Sequence, residues 1–156
     1  MKNKNLGQSL KNAFCGIVFS IDGERNMKVH TIAAAIAVAM SIALRVSLME
    51  LLFIILSIAM VLITELLNTA IEYLINVFYA NEFNVNIKKV KDISAAAVLI
   101  AALFSLSAGY TVFVPKLLNL IGIHPDDGLY FIIMASTAAA AALTFLLLSA
   151  TKRRRV

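Results

Sequence analysis

From Leu48 to Phe78 the chain is apolar for longer than a bilayer is thick, and that run constrains the fold more than any other feature. About 20 predominantly apolar residues suffice for a membrane-spanning helix. In hydrocarbon a single segment can satisfy its backbone polar groups internally only as a helix. Within this run stand Glu65, Asn68 and Glu72. A charged side chain near a bilayer centre costs roughly 2.5–3.5 kcal/mol even on the lenient insertion scale, so such residues face a bundle interior and perform a task. Successive helical residues turn by about 100°, which puts Glu65 and Glu72 within about 20° of each other and Asn68 about 60° away. One helix face is thus a polar stripe. The competing reading is that the stripe only joins helices through hydrogen bonds.

Apolar runs of helical length recur, and with 61% hydrophobic residues, 15% charged residues and a mean hydropathy of +0.88 the chain falls outside the range of soluble domains. The expected fold is an all-α membrane protein with an N-terminal amphipathic interfacial helix and four transmembrane helices: His30–Leu44 with its flanks, Leu48–Phe78, Ile93–Val114 and Leu129–Ala150. Arg45 follows the short first span at once, so that span is expected to tilt or to sit partly in the interface. Twelve of the fourteen Lys and Arg residues lie in segments 1–29 and 80–92 and in the tail Lys152-Arg153-Arg154-Arg155, while Arg45 and Lys116 lie in the alternate loops. Positive residues collect on the cytoplasmic side, so both termini are expected there. The net charge of +5 then reads as attraction to anionic lipid headgroups or as a topology anchor, and does not require nucleic acid.

The first 29 residues place Leu6, Leu10, Ala13, Phe14, Ile17, Val18 and Ile21 at steps of three and four with polar residues between. This is the pattern of an amphipathic helix lying along the membrane surface, and it lacks the continuous apolar run of an export signal. Cys15 is the single cysteine, which excludes an internal disulfide and reads as a small apolar filler. The loop with Pro115, Pro125, Asp126, Asp127 and Gly128 reads as a turn.

With this topology the second span runs inward, so Glu72 nears the cytoplasmic interface and Glu65 lies about 10 Å deeper at about 1.5 Å per residue. Glu24 precedes the first span, and Lys91 and Asp92 precede the third, where free N–H groups at a helix start favour phosphate. Glu24, Glu65, Asn68, Glu72, Lys91 and Asp92 can therefore meet near the inner leaflet. Carboxylates about 10 Å apart cannot share one small cation, so they need different tasks. Glu72, with Glu24 as partner, suits Mg²⁺, which is often held by one or two carboxylates plus substrate phosphates. Glu65, deeper, suits a general base facing a lipid headgroup, and Lys91 can neutralise a transferring phosphoryl group. His30 reads first as a packing or interfacial residue and second as a metal ligand.

The run Glu65-Leu66-Leu67-Asn68-Thr69-Ala70-Ile71-Glu72, followed by Val90-Lys91-Asp92-Ile93-Ser94-Ala95-Ala96-Ala97-Val98-Leu99, resembles the signature of the prokaryotic diacylglycerol kinase family, which includes undecaprenol kinases. Ser9-Leu10-Lys11-Asn12-Ala13, Gly16 and Glu24-Arg25-Asn26-Met27-Lys28-Val29-His30 are similar to its amino-terminal pattern, so the resemblance covers roughly residues 7–110. It implies a bacterial cytoplasmic-membrane enzyme that moves the γ-phosphate of ATP, with Mg²⁺, onto a membrane lipid alcohol. Glu65 would be the catalytic base, Glu24 and Glu72 the metal-coordinating carboxylates, and Asn68, Lys91 and Asp92 the nucleotide- and phosphate-binding residues. It also implies a homotrimer, for which Ala95, Ala96, Ala97, Ala101 and Ala102 would permit close packing. The chain divides accordingly into a kinase core, 1–114, and an added span with a basic tail, 115–156. Asn76 departs from the family, standing where many relatives have an acidic residue, and the fourth span exceeds its usual three. Neither G-x-x-x-x-G-K-[ST] nor G-x-G-x-x-G, the signatures of soluble nucleotide-binding folds, occurs in the chain.

Undecaprenol is the preferred acceptor on the style of the E-R-N-x-x-x-H segment, with diacylglycerol the alternative. A proton or divalent-cation conduit is the reading from another class, and a non-catalytic assembly module a third. A conduit should spread polar groups across the bilayer, whereas here they cluster toward one leaflet.

Overall fold

The computed structural model of the chain describes residues 5–79, 85–124, 126, 128–132, 134–137, 139–140 and 142–143. Four helices follow one another: α1 (Leu6–Gly23), α2 (Arg25–Ala43), α3 (Leu48–Tyr79) and α4 (Val85–Leu120). There is no strand among the described residues. The last three are long and apolar enough to cross a membrane, and they mark the chain as an integral membrane protein. α2 begins before its hydropathic core and α4 extends past its own at both ends, because a helix does not stop where hydrophobicity stops. α2 begins at Arg25, and α4 continues through Pro115 to Leu120. Of the expected span Leu129–Ala150, an apolar helix is seen over Gly128–Thr137. Its distal part and the basic tail lie outside the described residues.

Local chemistry explains several of the boundaries. Asn5 caps α1 by accepting from the Gln8 amide at 2.9 Å. Glu24, extended at φ −109° and ψ 125°, is the single residue between α1 and α2. α2 ends in paired bonds from Val46 N to Ser41 O and from Arg45 N to Ile42 O, both 3.1 Å, with Arg45 left-handed at φ 48°. This 6→1 and 5→2 arrangement usually has glycine at its left-handed position. α4 ends identically, with Gly122 at φ 81°. The contrast yields a prediction: Arg45→Gly relieves the side-chain strain, partly offset by the freedom of Gly in the unfolded chain. A gain of about 0.5 kcal/mol is expected, read as a higher thermal midpoint in detergent. A lower midpoint would mean that the arginine side chain itself anchors this turn.

Helix α3 opens with a reciprocal cap. The Ser47 amide donates to Glu50 Oε2 at 2.6 Å, and the Glu50 amide donates to Ser47 Oγ at 3.4 Å. The same carboxylate pairs with Lys116 Nζ at 3.1 Å, tying the start of α3 to the far end of α4. α3 and α4 are antiparallel, as the Ser105 to Ser57 hydroxyl bond of 3.4 Å midway along them also shows. Ile54, Val112 and Phe113 form a buried cluster, with Ala37 and Met40 of α2 and the Leu44 that follows it packed against it. The densest apolar packing thus lies toward the Lys116 end. Elsewhere large apolar side chains such as Ile36, Leu56 and Leu106 are exposed, as expected of a lipid-facing surface. Along α1, Leu6, Leu10, Phe14, Ile17 and Val18 are exposed too, and so is Cys15.

Candidate active site

Hydroxyl groups inside these helices mostly satisfy themselves. Thr31 donates to Met27 O, Ser41 to Ala37 O, Ser57 to Ile54 O and Thr111 to Ser107 O, each 2.8–2.9 Å and each within one turn. Such back-bonding lets Ser and Thr reside in an apolar helix. Glu65 and Asn68 behave differently. Glu65 is 1% exposed and Asn68 7%, yet Glu65 Oε2 and Asn68 Oδ1 have no hydrogen-bond partner among the described residues. A residue that merely joined helices would be bonded across them, because a buried unsatisfied oxygen costs about 1–3 kcal/mol. Orphaned oxygens in an otherwise satisfied bundle ask for another explanation.

Both line a cleft of about 320 Å³ between α2, α3 and α4, together with Glu72, Asn26, His30, Val98 and flanking residues. The helical arithmetic for α3 holds: Glu65, Asn68 and Glu72 share this cleft. Asn68 Nδ2 donates to Glu72 Oε1 at 3.0 Å, which orients the amide and leaves Oδ1 free for a donor. From α4, Ala95 and Ala102 keep the opening wide because their side chains are short. One turn beyond Glu72, Asn76 Oδ1 accepts from Lys91 Nζ at 2.9 Å. The ammonium is therefore held at the mouth of the polar column, half-buried, by a neutral amide rather than by a carboxylate. Its charge stays uncompensated by that partner and available to an anion.

The remaining candidates are less central. Glu24 sits at the α1–α2 junction, half-buried, and does not line the cleft. Asp92 is exposed and outside the cleft lining. Among the described residues no three His, Cys, Asp or Glu side chains converge into a metal site. The donor set nonetheless fits a cation held jointly with phosphate, since that arrangement needs only one or two carboxylates. Glu24 and Glu72 form no ion pair among the described residues.

Asn26 and His30 were missed as cleft residues by sequence reasoning. Their four-residue spacing on α2 puts them on one face, and that face is turned to Glu65. The signal was present in the spacing, but the first turns of α2 also carry Arg25, Lys28 and Thr31, so polar residues on several sides hid the inward one.

A second concavity of about 710 Å³ lies between α1 and α3, mostly apolar and lined by Phe19, Leu66, Ala70 and Tyr73 among others. Ser20 Oγ donates to Thr69 Oγ1 at 3.3 Å at its base, and the Phe19 and Tyr73 rings meet edge to face with centroids 5.7 Å apart.

Comparison with known proteins gives this arrangement a context. The family model described as prokaryotic diacylglycerol kinase matches residues 11–113. A curated protein of Synechocystis sp. named diacylglycerol kinase is 29% identical over 116 residues, covering 74% of this chain and 66% of that protein. The chain thus spans just under two thirds of that relative's length. No solved structure matches.

Proposed function

The chain belongs to the prokaryotic diacylglycerol kinase family, and from that premise we propose that it is an ATP-dependent lipid kinase, phosphorylating a membrane lipid alcohol at the cytoplasmic interface. The observation that carries the reading is the pair of orphaned oxygens, Glu65 Oε2 and Asn68 Oδ1, in a cleft they share with Glu72, with the Lys91 ammonium held on Asn76 one turn beyond. A buried, unpartnered acceptor is what removing the proton of an attacking hydroxyl requires.

In this mechanism Glu65 accepts the proton of the lipid hydroxyl as that oxygen attacks the γ-phosphorus in line. The bond from γ-phosphorus to the bridging oxygen breaks and ADP leaves. Lys91 offsets charge on the equatorial oxygens, Asn68 orients a donor or the acceptor hydroxyl, and Asp92 accepts from donors on the nucleotide. Glu72 and Glu24 would hold Mg²⁺, which when bound shields the phosphate charges. The positions 1–114 form the kinase core, and 115–156 add a span and a basic tail that faces anionic lipid. The assembly is a homo-oligomer, a trimer by family likeness, multi-pass in a bacterial cytoplasmic membrane with both termini inside.

Undecaprenol is the favoured acceptor and diacylglycerol the alternative. The test is ATP-dependent phosphorylation of each lipid by the full chain in bilayers. Transfer of labelled γ-phosphate to undecaprenol at higher kcat/KM than to diacylglycerol is expected. Vesicles that pass ions in a Glu65-dependent way, with neither lipid labelled, would establish a conduit in place of a kinase.

A further inference from the structure

Helix α1 meets the rest of the molecule through a serine. Its large apolar side chains Leu6, Leu10, Phe14, Val18 and Phe19 are exposed, and its one buried residue is Ser20, 2% exposed. Ser20 Oγ donates to Thr69 Oγ1 of α3 at 3.3 Å, and Thr69 is buried as well. Thr31, Ser41 and Thr111 turn their hydroxyls to a carbonyl of their own helix, which suffices to place them in apolar surroundings. The Ser20–Thr69 bond instead joins two elements, 49 residues apart in sequence, and so fixes where one lies on the other. Both partners stand one turn from a carboxylate. The Ser20 carbonyl accepts from the Glu24 amide at 3.0 Å, which carries Glu24 at a set offset from Ser20. On α3, Thr69 precedes Glu72 by three residues. The Glu24 side chain makes no capping bond to α2, so its placement depends on how the junction itself is held. The Phe19 and Tyr73 rings, with centroids 5.7 Å apart, brace the same contact.

We propose that Ser20 and Thr69 are positioning residues for the metal site: their hydroxyl bond holds the α1–α2 junction against α3, so that the Glu24 carboxylate reaches the cation held by Glu72. The inference rests on the proposed assignment of Glu24 and Glu72 to Mg²⁺. Glu24 lies outside the cleft wall, so a carboxylate that acts at the cleft from there needs its segment tied to α3. The Ser20–Thr69 bond is a polar tie between those two elements, and neither hydroxyl lines the cleft that holds Glu65 and Glu72. Losing a group that only orients a metal ligand weakens metal binding about 10–100-fold, and that is the effect this pair should show.

The test titrates the full chain in detergent with Mn²⁺ in the presence of a non-hydrolysable ATP analogue, with binding read by electron paramagnetic resonance. Ser20→Ala and Thr69→Val should each weaken Mn²⁺ binding at least about tenfold. The double variant should lose no more than either single one, because all three lose the same bond. Thr69→Ser keeps the accepting hydroxyl and should stay within twofold of the parent chain. Ser105→Ala removes the comparable hydroxyl bond between α4 and α3 and should also stay within twofold, which separates positioning from general loosening of the bundle. In the absence of metal, nitroxides on Cys15 and on Val77→Cys, both exposed positions, report the distance from α1 to α3. Its distribution should broaden in Thr69→Val and in Ser20→Ala. Unchanged Mn²⁺ binding in both single variants would overturn the proposal, as would an equal loss in Ser105→Ala or weakened binding with an unaltered distance distribution. Glu24→Gln separates the two levels. If it weakens Mn²⁺ binding while Ser20→Ala and Thr69→Val do not, the positioning role alone fails; if it leaves binding unchanged, the assignment of Glu24 to the cation fails and the positioning role with it.

Discussion

Glu65→Gln is expected to lower kcat for lipid phosphorylation about a thousandfold, within the range of about 10²–10⁴ that a positioned general base contributes. The substitution keeps the shape of the side chain and removes its basicity. Glu65 is 1% exposed, so no water can readily reach the acceptor hydroxyl to replace it. The KM for ATP should change little, because Glu65 lies about 16 Å along α3, at about 1.5 Å per residue, from Asn76, which holds Lys91. Helix content and detergent stability should be kept or improved, since a buried carboxylate is costly to desolvate. Glu65→Asp retains the base but withdraws it by about one bond, and a misplacement of about 1 Å can cost about 10² in rate. Single-turnover kinetics at saturating ATP and lipid would read both. A Gln variant retaining more than a tenth of the activity would remove Glu65 from the chemistry.

Glu72→Gln should fail differently. Gln still offers an oxygen to the Asn68 amide, so the 3.0 Å bond can persist and the fold with it. What is lost is one of the two carboxylates proposed for the cation. The Mg²⁺ concentration for half-maximal activity should rise at least about 10–100-fold, the range that loss of a mere outer-shell partner already produces. Excess Mg²⁺ should restore part of the rate, whereas no concentration restores Glu65→Gln. Titrating activity against Mg²⁺ separates the two roles. An unaltered Mg²⁺ requirement in the Glu72 variant would mean that this carboxylate does not hold the metal.

The polar column on α3 was legible because its spacing alone specifies a face, and a 3.6-residue period holds wherever the helix is straight. The three long helices were legible from hydropathy, but their ends were not. Hydropathy registers the lipid boundary, whereas helices continue until a cap stops them: Glu24 before Arg25, Arg45 after Ala43, Gly122 after Leu120. Pro115 illustrates the difference, since it ended the expected span at Val114 but lies within α4. A turn reading was natural there, as proline removes one helical hydrogen bond. Asn26 and His30 could not be singled out, because which side of α2 meets α3 depends on packing between elements distant in sequence. Glu24, Lys91 and Asp92 were expected beside the others, and the structure sets all three outside the cleft wall. Proximity in depth is what topology supplies, and orientation about the helix axis is a separate matter.

The length of α3 has a physical consequence for how two immiscible reactants come together. At about 1.5 Å per residue its 32 residues extend for about 48 Å, well past a hydrocarbon layer of about 30 Å. Glu72 stands seven residues from the terminal Tyr79, and Glu65 fourteen. A polyanion dissolved in the aqueous phase can therefore dock against the protruding turns without shedding its hydration into oil. The greasy alcohol, meanwhile, need rise only to the upper margin of its own phase. In the proposed reaction the helix would act as a ladder across the phase boundary, with the transfer on the rungs that both reactants can touch.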